Sequence, residues 1–410
     1  MNWLTTPAHH RWLEAETDRL LTFGAQSKDP LGGFGWLDEA GRRDPNHDVE
    51  LWITCRMTHC FSLAALMGRP GAAALADHGV AALTGRLKDD DNGGWFAVVG
   101  PDGPTKTAKE AYGHAFVILA AASATAAGLP GASELLYDAL ATHGEHFWDD
   151  EAGMSRESYA ADWSGEEDYR GINANMHTVE AYLAAADVTG DRVWLQRALR
   201  IAERAVHVFA AGNEWRIPEH FTGAWEPLLD YNKETPAHPF RPYGATIGHS
   251  FEWARLTLQI GASLELAGLA APEWIVPDAR ALYDTAVAEG WDVDGAPGFV
   301  YTIDWEGRPV VRERMHWVSA EAIGAAAVLW GRTRIQHYAD QYALWWDYVA
   351  DNHLDPVGGS WWHELGTDNA VSRTVWEGKA DIYHAVQATL IPRLPAAPAL
   401  AAALANGALR

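Results

Sequence analysis

Two histidines stand near the heads of apolar stretches, where a titratable ring is costly to bury without a purpose. His249 lies in RPYGATIGHSFEWARL, residues 241–256. Pro242 and Gly244 make an irregular lead-in, after which Phe251, Ala254, Leu256 and Leu258 fall near helical spacing. Glu252 follows His249 at i+3 on the same face. A carboxylate on one imidazole nitrogen fixes the tautomer and raises the basicity of the other, so His249 and Glu252 are expected to form an acid/base unit. His384 heads a second such stretch, GKADIYHAVQATLIP. Two imidazoles facing one ligand from opposite sides could move protons on and off carbon, without a metal. A core histidine satisfied by its helix neighbour is the plainer reading of either residue alone.

The elements that must position these residues repeat. An irregular Trp/Gly-rich segment, an apolar helix and an amphipathic helix recur with a period of roughly 60–72 residues. Residues near the heads of the apolar helices mark the register: Trp52, Tyr112, His177, His249, Trp317 and His384. The first amphipathic helix is predicted over Ala8 to Phe23, with Trp12, Leu13, Leu20 and Leu21 inward, and another over Ala72 to Leu87. Helices apolar all round must be enclosed, and amphipathic ones can enclose them. The economical arrangement is an all-α (α/α)6 barrel, one domain over 1–410, with short β-hairpins in the loops over one mouth. An open α-solenoid competes, but would leave one side of the inner helices wet. The Ala-rich tail, LPAAPALAAALANGALR, is a docked or frayed last helix.

If the inner helices start at one end, their first turns ring a single cavity: Trp52 and Arg56, Tyr112 and His114, Asn173 and His177, His249 and Glu252, Trp317 and Glu321, Asp381 and His384. Polar groups on apolar helices need partners, and local loop contacts could supply them one by one. Taken together, aromatics interleaved with Arg, Asn, Glu and His suit a neutral polyhydroxylated ligand.

Composition narrows the partners. The chain has 31 basic and 55 acidic residues in 410, a net charge of −24, which disfavours nucleic acid and anionic membranes. Its most apolar run, Ala115 to Ala127, is too short to span a bilayer. The N-terminal residues lack the basic-then-apolar run of a signal peptide, and the two cysteines, Cys55 and Cys60, are badly spaced for a disulfide. A cytoplasmic monomer or homodimer is expected. No H-E-x-x-H, paired C-x-x-C, phosphate-binding Gly loop or G-x-S-x-G elbow is present, and neither metal nor cofactor is expected.

The pieces LWITCRM, YRGINANMHTVEAY, IGHSFEWARL, TIDWEGRPVVRERMHW and VWEGKADIYH resemble the acylglucosamine 2-epimerase superfamily, nearest its bacterial mannose and sulfoquinovose isomerases. The resemblance covers nearly the whole chain. It implies an (α/α)6 barrel and metal-free aldose–ketose isomerisation or 2-epimerisation. By the matched motifs, His384 would take the C2 proton and His249 would assist ring opening and protonation, oriented by Glu252. Arg56, Asn173, His177, Arg241, Trp317, Glu321 and Trp376 would contact sugar, with Trp52 and Tyr112 as pocket walls. Where sulfoquinovose isomerases carry two glutamines that help Arg56 hold a sulfonate, this chain has His363 and Ala380. That departure points to D-mannose and D-fructose, with D-lyxose and D-xylulose as smaller substrates. Ordered water around His363 could replace both amides, which would keep sulfoquinovose open. An inverting glycosidase on the same barrel, using a pair from Glu252, Glu321 and Asp381, is the rival of another class. A carbohydrate-binding barrel without turnover is a third reading.

Overall fold

Small side chains let the apolar segments pack shoulder to shoulder. The computed structural model describes residues 2–409. Helices are numbered in chain order. The inner six are α2 (Leu51–Leu66), α4 (Ala111–Ala126), α6 (Ile172–Thr189), α8 (Ile247–Leu266), α10 (His316–Thr333) and α12 (Tyr383–Leu390). Every residue of α2 from Leu51 to Ala64 is buried, as is nearly all of Ala-rich α4. The outer six are α1 (Pro7–Gly24), α3 (Ala72–Thr84), α5 (Ala132–Thr142), α7 (Arg192–Ala202), α9 (Ile275–Gly290) and α11 (Gln336–Tyr348). On α7 only Leu195, Ala198, Ile201 and Ala202 face inward, the stripe expected of an enclosing helix.

Each inner helix packs on the next, and α12 lies against both α10 and α2 with α1 behind it. The ring is therefore closed, an (α/α)6 barrel, and the open solenoid is excluded. The tail is docked: α13 (Leu400–Ala405) packs on α2, α4 and α6, and Asp187 accepts the Ala399 N–H at 2.6 Å. Trp12 departs from expectation, being 38% exposed on the outer face of α1, where it lies edge-to-face on Trp346. Helix α3 stops at Thr84 because Gly85 leaves helical dihedrals. Cys55 and Cys60 are free and buried. Among the described residues, no helix is long and apolar enough to cross a membrane.

The loops over the mouth follow one rule. Five inner helices begin without a side-chain N-cap bond, leaving their first N–H in need of an acceptor. In each case a main-chain carbonyl of the following repeat supplies it: Ala97 to Leu51, Glu157 to Ala111, Glu219 to Ile172, Tyr301 to Ile247 and His363 to His316, at 2.8–3.1 Å. The next residues then pair antiparallel with the strand entering that helix, for example Arg170 with Phe221 and Ala245 with Ile303. Gly244, at φ +91°, makes this approach possible, since a Cβ there would lie 2.1 Å from the Ile303 oxygen.

Two fully buried lysines tie these loops down. Lys109 Nζ meets Asp89 at 2.6 Å, and Lys379 Nζ meets Asp355 at 2.6 Å and the Gly359 carbonyl at 2.6 Å. Removing one partner of a buried pair strands the other charge. Asp89→Ala is therefore expected to destabilise the fold by about 3–5 kcal/mol, read from the denaturant midpoint.

Candidate functional site

The first turns of the inner helices surround a cavity. Trp52 and Arg56 of α2, Tyr112 of α4 and Asn173 and His177 of α6 form one side of the lining; His249 and Glu252 of α8, Trp317 of α10 and His384 of α12 form the other. Loops add Phe240, Tyr301, His363, Trp376 and Asp381, and His316 opens α10. Two expected sugar contacts, Glu321 and Arg241, do not line this cavity.

The imidazoles are organised differently from the i+3 pairing. His249 Nδ1 lies 3.0 and 2.9 Å from the two oxygens of Glu219, not on Glu252. Glu219 Oε1 also accepts the Thr246 N–H at 3.2 Å, so the carboxylate is fixed to the strand that enters α8. Glu252 cannot take this role because its Oε1 faces Arg255, at 3.4 Å, one turn along the same helix. His384 Nδ1 meets Glu321 Oε1 at 2.9 Å, which makes Glu321 a support for His384 rather than a wall of the cavity. Each ring thus has Nδ1 on a carboxylate and Nε2 left for the cavity. Both rings flank the indole of Trp317, at centroid distances of 5.3 Å from His249 and 5.6 Å from His384. Gly248 permits that contact, because a Cβ there would lie 2.2 Å from the indole.

The charges sort by their neighbours. Burial alone would raise Glu321, but the Arg255 guanidinium and the His384 N–H hold its carboxyl below the ordinary value. An ionised Glu321 only accepts, so His384 carries its proton on Nδ1 and presents a bare Nε2. Burial also lowers the His384 pKa, against the pull of Glu321, and keeps the ring neutral at neutral pH. Burial and the nearby Glu321 charge push Glu252 well above the carboxylate range, so it is a neutral acid. Its Oε2 is buried without a protein partner.

Two groups, His177–Glu180–Glu252 and Glu252–Glu321–His384, bring ligand atoms within 4.8 Å of one another, close enough to bridge an ion. The donor chemistry argues against it. Arg255 Nε already occupies Glu321 Oε2 at 3.0 Å, Gln387 and the Tyr383 hydroxyl occupy Glu180, and a permanent guanidinium repels a cation.

On the α2 side, Arg56 donates to Asp381 at 3.1 Å and to the Tyr112 hydroxyl at 3.0 Å, with its cation over Trp52, Phe116 and Tyr383. His363 stacks on His316 at 3.8 Å, and burial lowers its pKa to about 4. The Nε2 atoms of both rings, Asn173 Oδ1 and Trp376 Nε1 are buried with no protein partner, so the wall offers uncharged hydrogen-bonding groups. Phe240 packs edge-to-face on Trp52, Tyr112 and Trp376 at the cavity's edge. Arg241 beside it is clamped by Glu167 at 2.8 and 3.1 Å and holds that loop down instead of lining the cavity. His114 is structural: its Nδ1 meets the Glu110 carbonyl at 2.8 Å and its Nε2 accepts the Trp95 N–H.

Sequence reasoning missed Glu219, Tyr301, Phe240 and His316. Glu219, Tyr301 and His363 occupy one position of the repeat, the residue whose carbonyl starts the preceding inner helix, and aligning the loops on it would have found the first two. Phe240 and His316 carried no such signal.

The sequence profile described as N-acylglucosamine 2-epimerase (GlcNAc 2-epimerase) matches residues 32–388. The chain is 54% identical to the D-mannose isomerase of Thermobifida fusca over 98% of its length and 99% of that protein. It is 52% identical to the D-mannose isomerase of Pseudomonas cannabina pv. alisalensis, covering 99% and 97%. Among solved structures, a crystal structure of D-mannose isomerase superposes with a TM-score of 0.87 at 29% identity, covering 94% of this chain and 98% of that one.

Proposed function

The chain belongs to the N-acylglucosamine 2-epimerase family, and we propose that it interconverts D-mannose and D-fructose by metal-independent proton transfer, taking D-lyxose and D-xylulose as smaller substrates. The observation that carries the reading is the pair of imidazoles, His249 and His384, each backed by a carboxylate on Nδ1 and flanking Trp317 in one cavity. His384 Nε2 removes the C2 proton of the open-chain aldose as the C1 carbonyl oxygen accepts a proton from protonated His249. The resulting cis-enediol loses the O2 proton to His249 while His384 returns its proton to C1. No atom is gained or lost, and no electron acceptor is needed. Glu252, as a neutral acid, can donate a hydrogen bond to a sugar oxygen.

Charge separates this reading from a sulfonated substrate. An anion needs donors that are not already committed. Arg56 is held by Asp381, Ala380 has no donor in its side chain, and His363 is neutral at neutral pH. A glycosidase needs a carboxylate pair across the bond to be cut, roughly 6.5–9.5 Å apart when inverting. Glu252 and Glu321 are closer than that, and Glu321 stands behind His384. Free, buried cysteines support a cytoplasmic placement.

One NMR experiment tests the reading: mannose and sulfoquinovose are supplied separately, with and without exhaustive EDTA treatment. Mannose should yield fructose at an unchanged rate after chelation, with no gain from Mn²⁺, Co²⁺ or Mg²⁺. Its kcat/KM should exceed that of sulfoquinovose by tenfold or more, about 1.4 kcal/mol of transition-state preference. A metal-restored enzyme, or sulfoquinovose ahead by that margin, overturns it.

A further inference from the structure

Beneath the cavity, Arg255 sits on α8 with no exposure to speak of and no place in its lining. Its Nε–H donates to Glu321 Oε2 at 3.0 Å, while the other oxygen of Glu321 takes His384 Nδ1 at 2.9 Å. Its Nη2 faces Glu252 Oε1 at 3.4 Å. One guanidinium therefore links the carboxylate behind one imidazole to the carboxyl that reaches the cavity. A buried cation with three acids around it, Glu180, Glu252 and Glu321, is expensive to assemble if its only task is packing.

We propose that Arg255 is a positioning residue for the proton transfer, which locks Glu321 in place behind His384 so that the imidazole keeps Nε2 on the substrate carbon. The planar fork suits this task, because Nε and Nη2 leave the guanidinium in fixed directions and hold two acceptors at once. The inference rests on the isomerase reading, since it concerns the base of that reaction.

The sign of its effect on pH follows from the charges around His384. Glu321 faces the ring from α10, Asp381 from the turn before α12, Arg56 from α2, His177 from α6 and the His316–His363 stack from the head of α10, with Arg255 and Glu252 contributed by α8. Taking away a cation beside the His384–Glu321 pair raises the proton affinity of the pair as a whole. The acid limb of kcat must then move to higher pH, whichever of the two groups carries the extra proton.

The experiment follows deuterium exchange at C2 of mannose across pH for wild type, Arg255→Gln and Arg255→Lys, each checked for a native circular dichroism spectrum. Exchange by wild type tests the isomerase reading separately. Arg255→Gln should lose about 10²-fold in kcat with KM within about threefold, and its acid limb should rise by about one pH unit. Arg255→Lys restores the charge but not the fork, so its acid limb should return to the wild-type position with kcat still about tenfold down. Should Arg255→Gln not fold, Arg255→Lys alone decides the matter. Wild-type kcat and pH profile in either folded variant, with wild type exchanging normally, overturns the proposal.

Discussion

His384→Gln should abolish exchange of the mannose C2 proton with solvent while leaving the barrel folded. Glutamine can still donate an amide hydrogen to Glu321, so the buried carboxylate keeps a partner and the α10–α12 contact survives. What disappears is the only basic nitrogen at that position. A positioned base contributes roughly 10²–10⁴-fold, and the loss in kcat should fall in that range with KM little changed. In the wild type, the depressed His384 pKa places the acid limb below the ordinary imidazole value of 6.5. As pH falls through the folded pKa the ring becomes protonated and activity is lost; above it the base form persists. Wild-type exchange rates in His384→Gln would remove His384 from the mechanism.

Glu219→Gln should be nearly as damaging, although Glu219 lies outside the cavity lining. Its carboxylate receives His249 Nδ1 on both oxygens, and it is anchored in turn by the Thr246 N–H. An amide presents one acceptor and one donor to that nitrogen and no negative charge to the imidazolium that forms when His249 holds a proton. Loss of the charge and of the enforced tautomer should lower kcat by about 10²–10³-fold. A direct readout is the low-field proton resonance of His249 Nδ1–H, which should vanish in Glu219→Gln and persist in Glu252→Gln. The opposite pattern would restore the i+3 pairing.

These two carboxylates mark what the sequence carried and what it did not. The alternation of apolar and amphipathic helices encodes the barrel, because burial periodicity is a local property. The ring of polar residues at the helix heads is legible for the same reason, and it included Glu321 and His384. Their partnership is not local: it follows from α10 and α12 being neighbours, 63 residues apart along the chain. Helical spacing assigned Glu252 to His249 on the ground that i+3 residues share a face, yet Arg255 lies at i+3 from Glu252 and took the acid instead. Glu219 stands in an irregular loop, where no periodicity points inward. Trp12 misled for a simpler reason: tryptophan reads as core, but two aromatic neighbours, His9 and Trp346, let it cover the surface.

The repeated loop position held by Ala97, Glu157, Glu219, Tyr301 and His363 divides its labour between main chain and side chain. The carbonyl that starts an inner helix is common to all twenty amino acids, so that hydrogen bond asks nothing of the side chain attached to it, although Glu157 and Glu219 also accept the Gly171 and Thr246 N–H groups. One barrel can thus mount a methyl, two acids, a phenol and an imidazole at equivalent stations around a single rim. Chemistry at the rim is decoupled from the integrity of the wall beneath it. For a chain of this architecture, a new substrate range can be reached by exchanging residues at these stations, without rebuilding any helix.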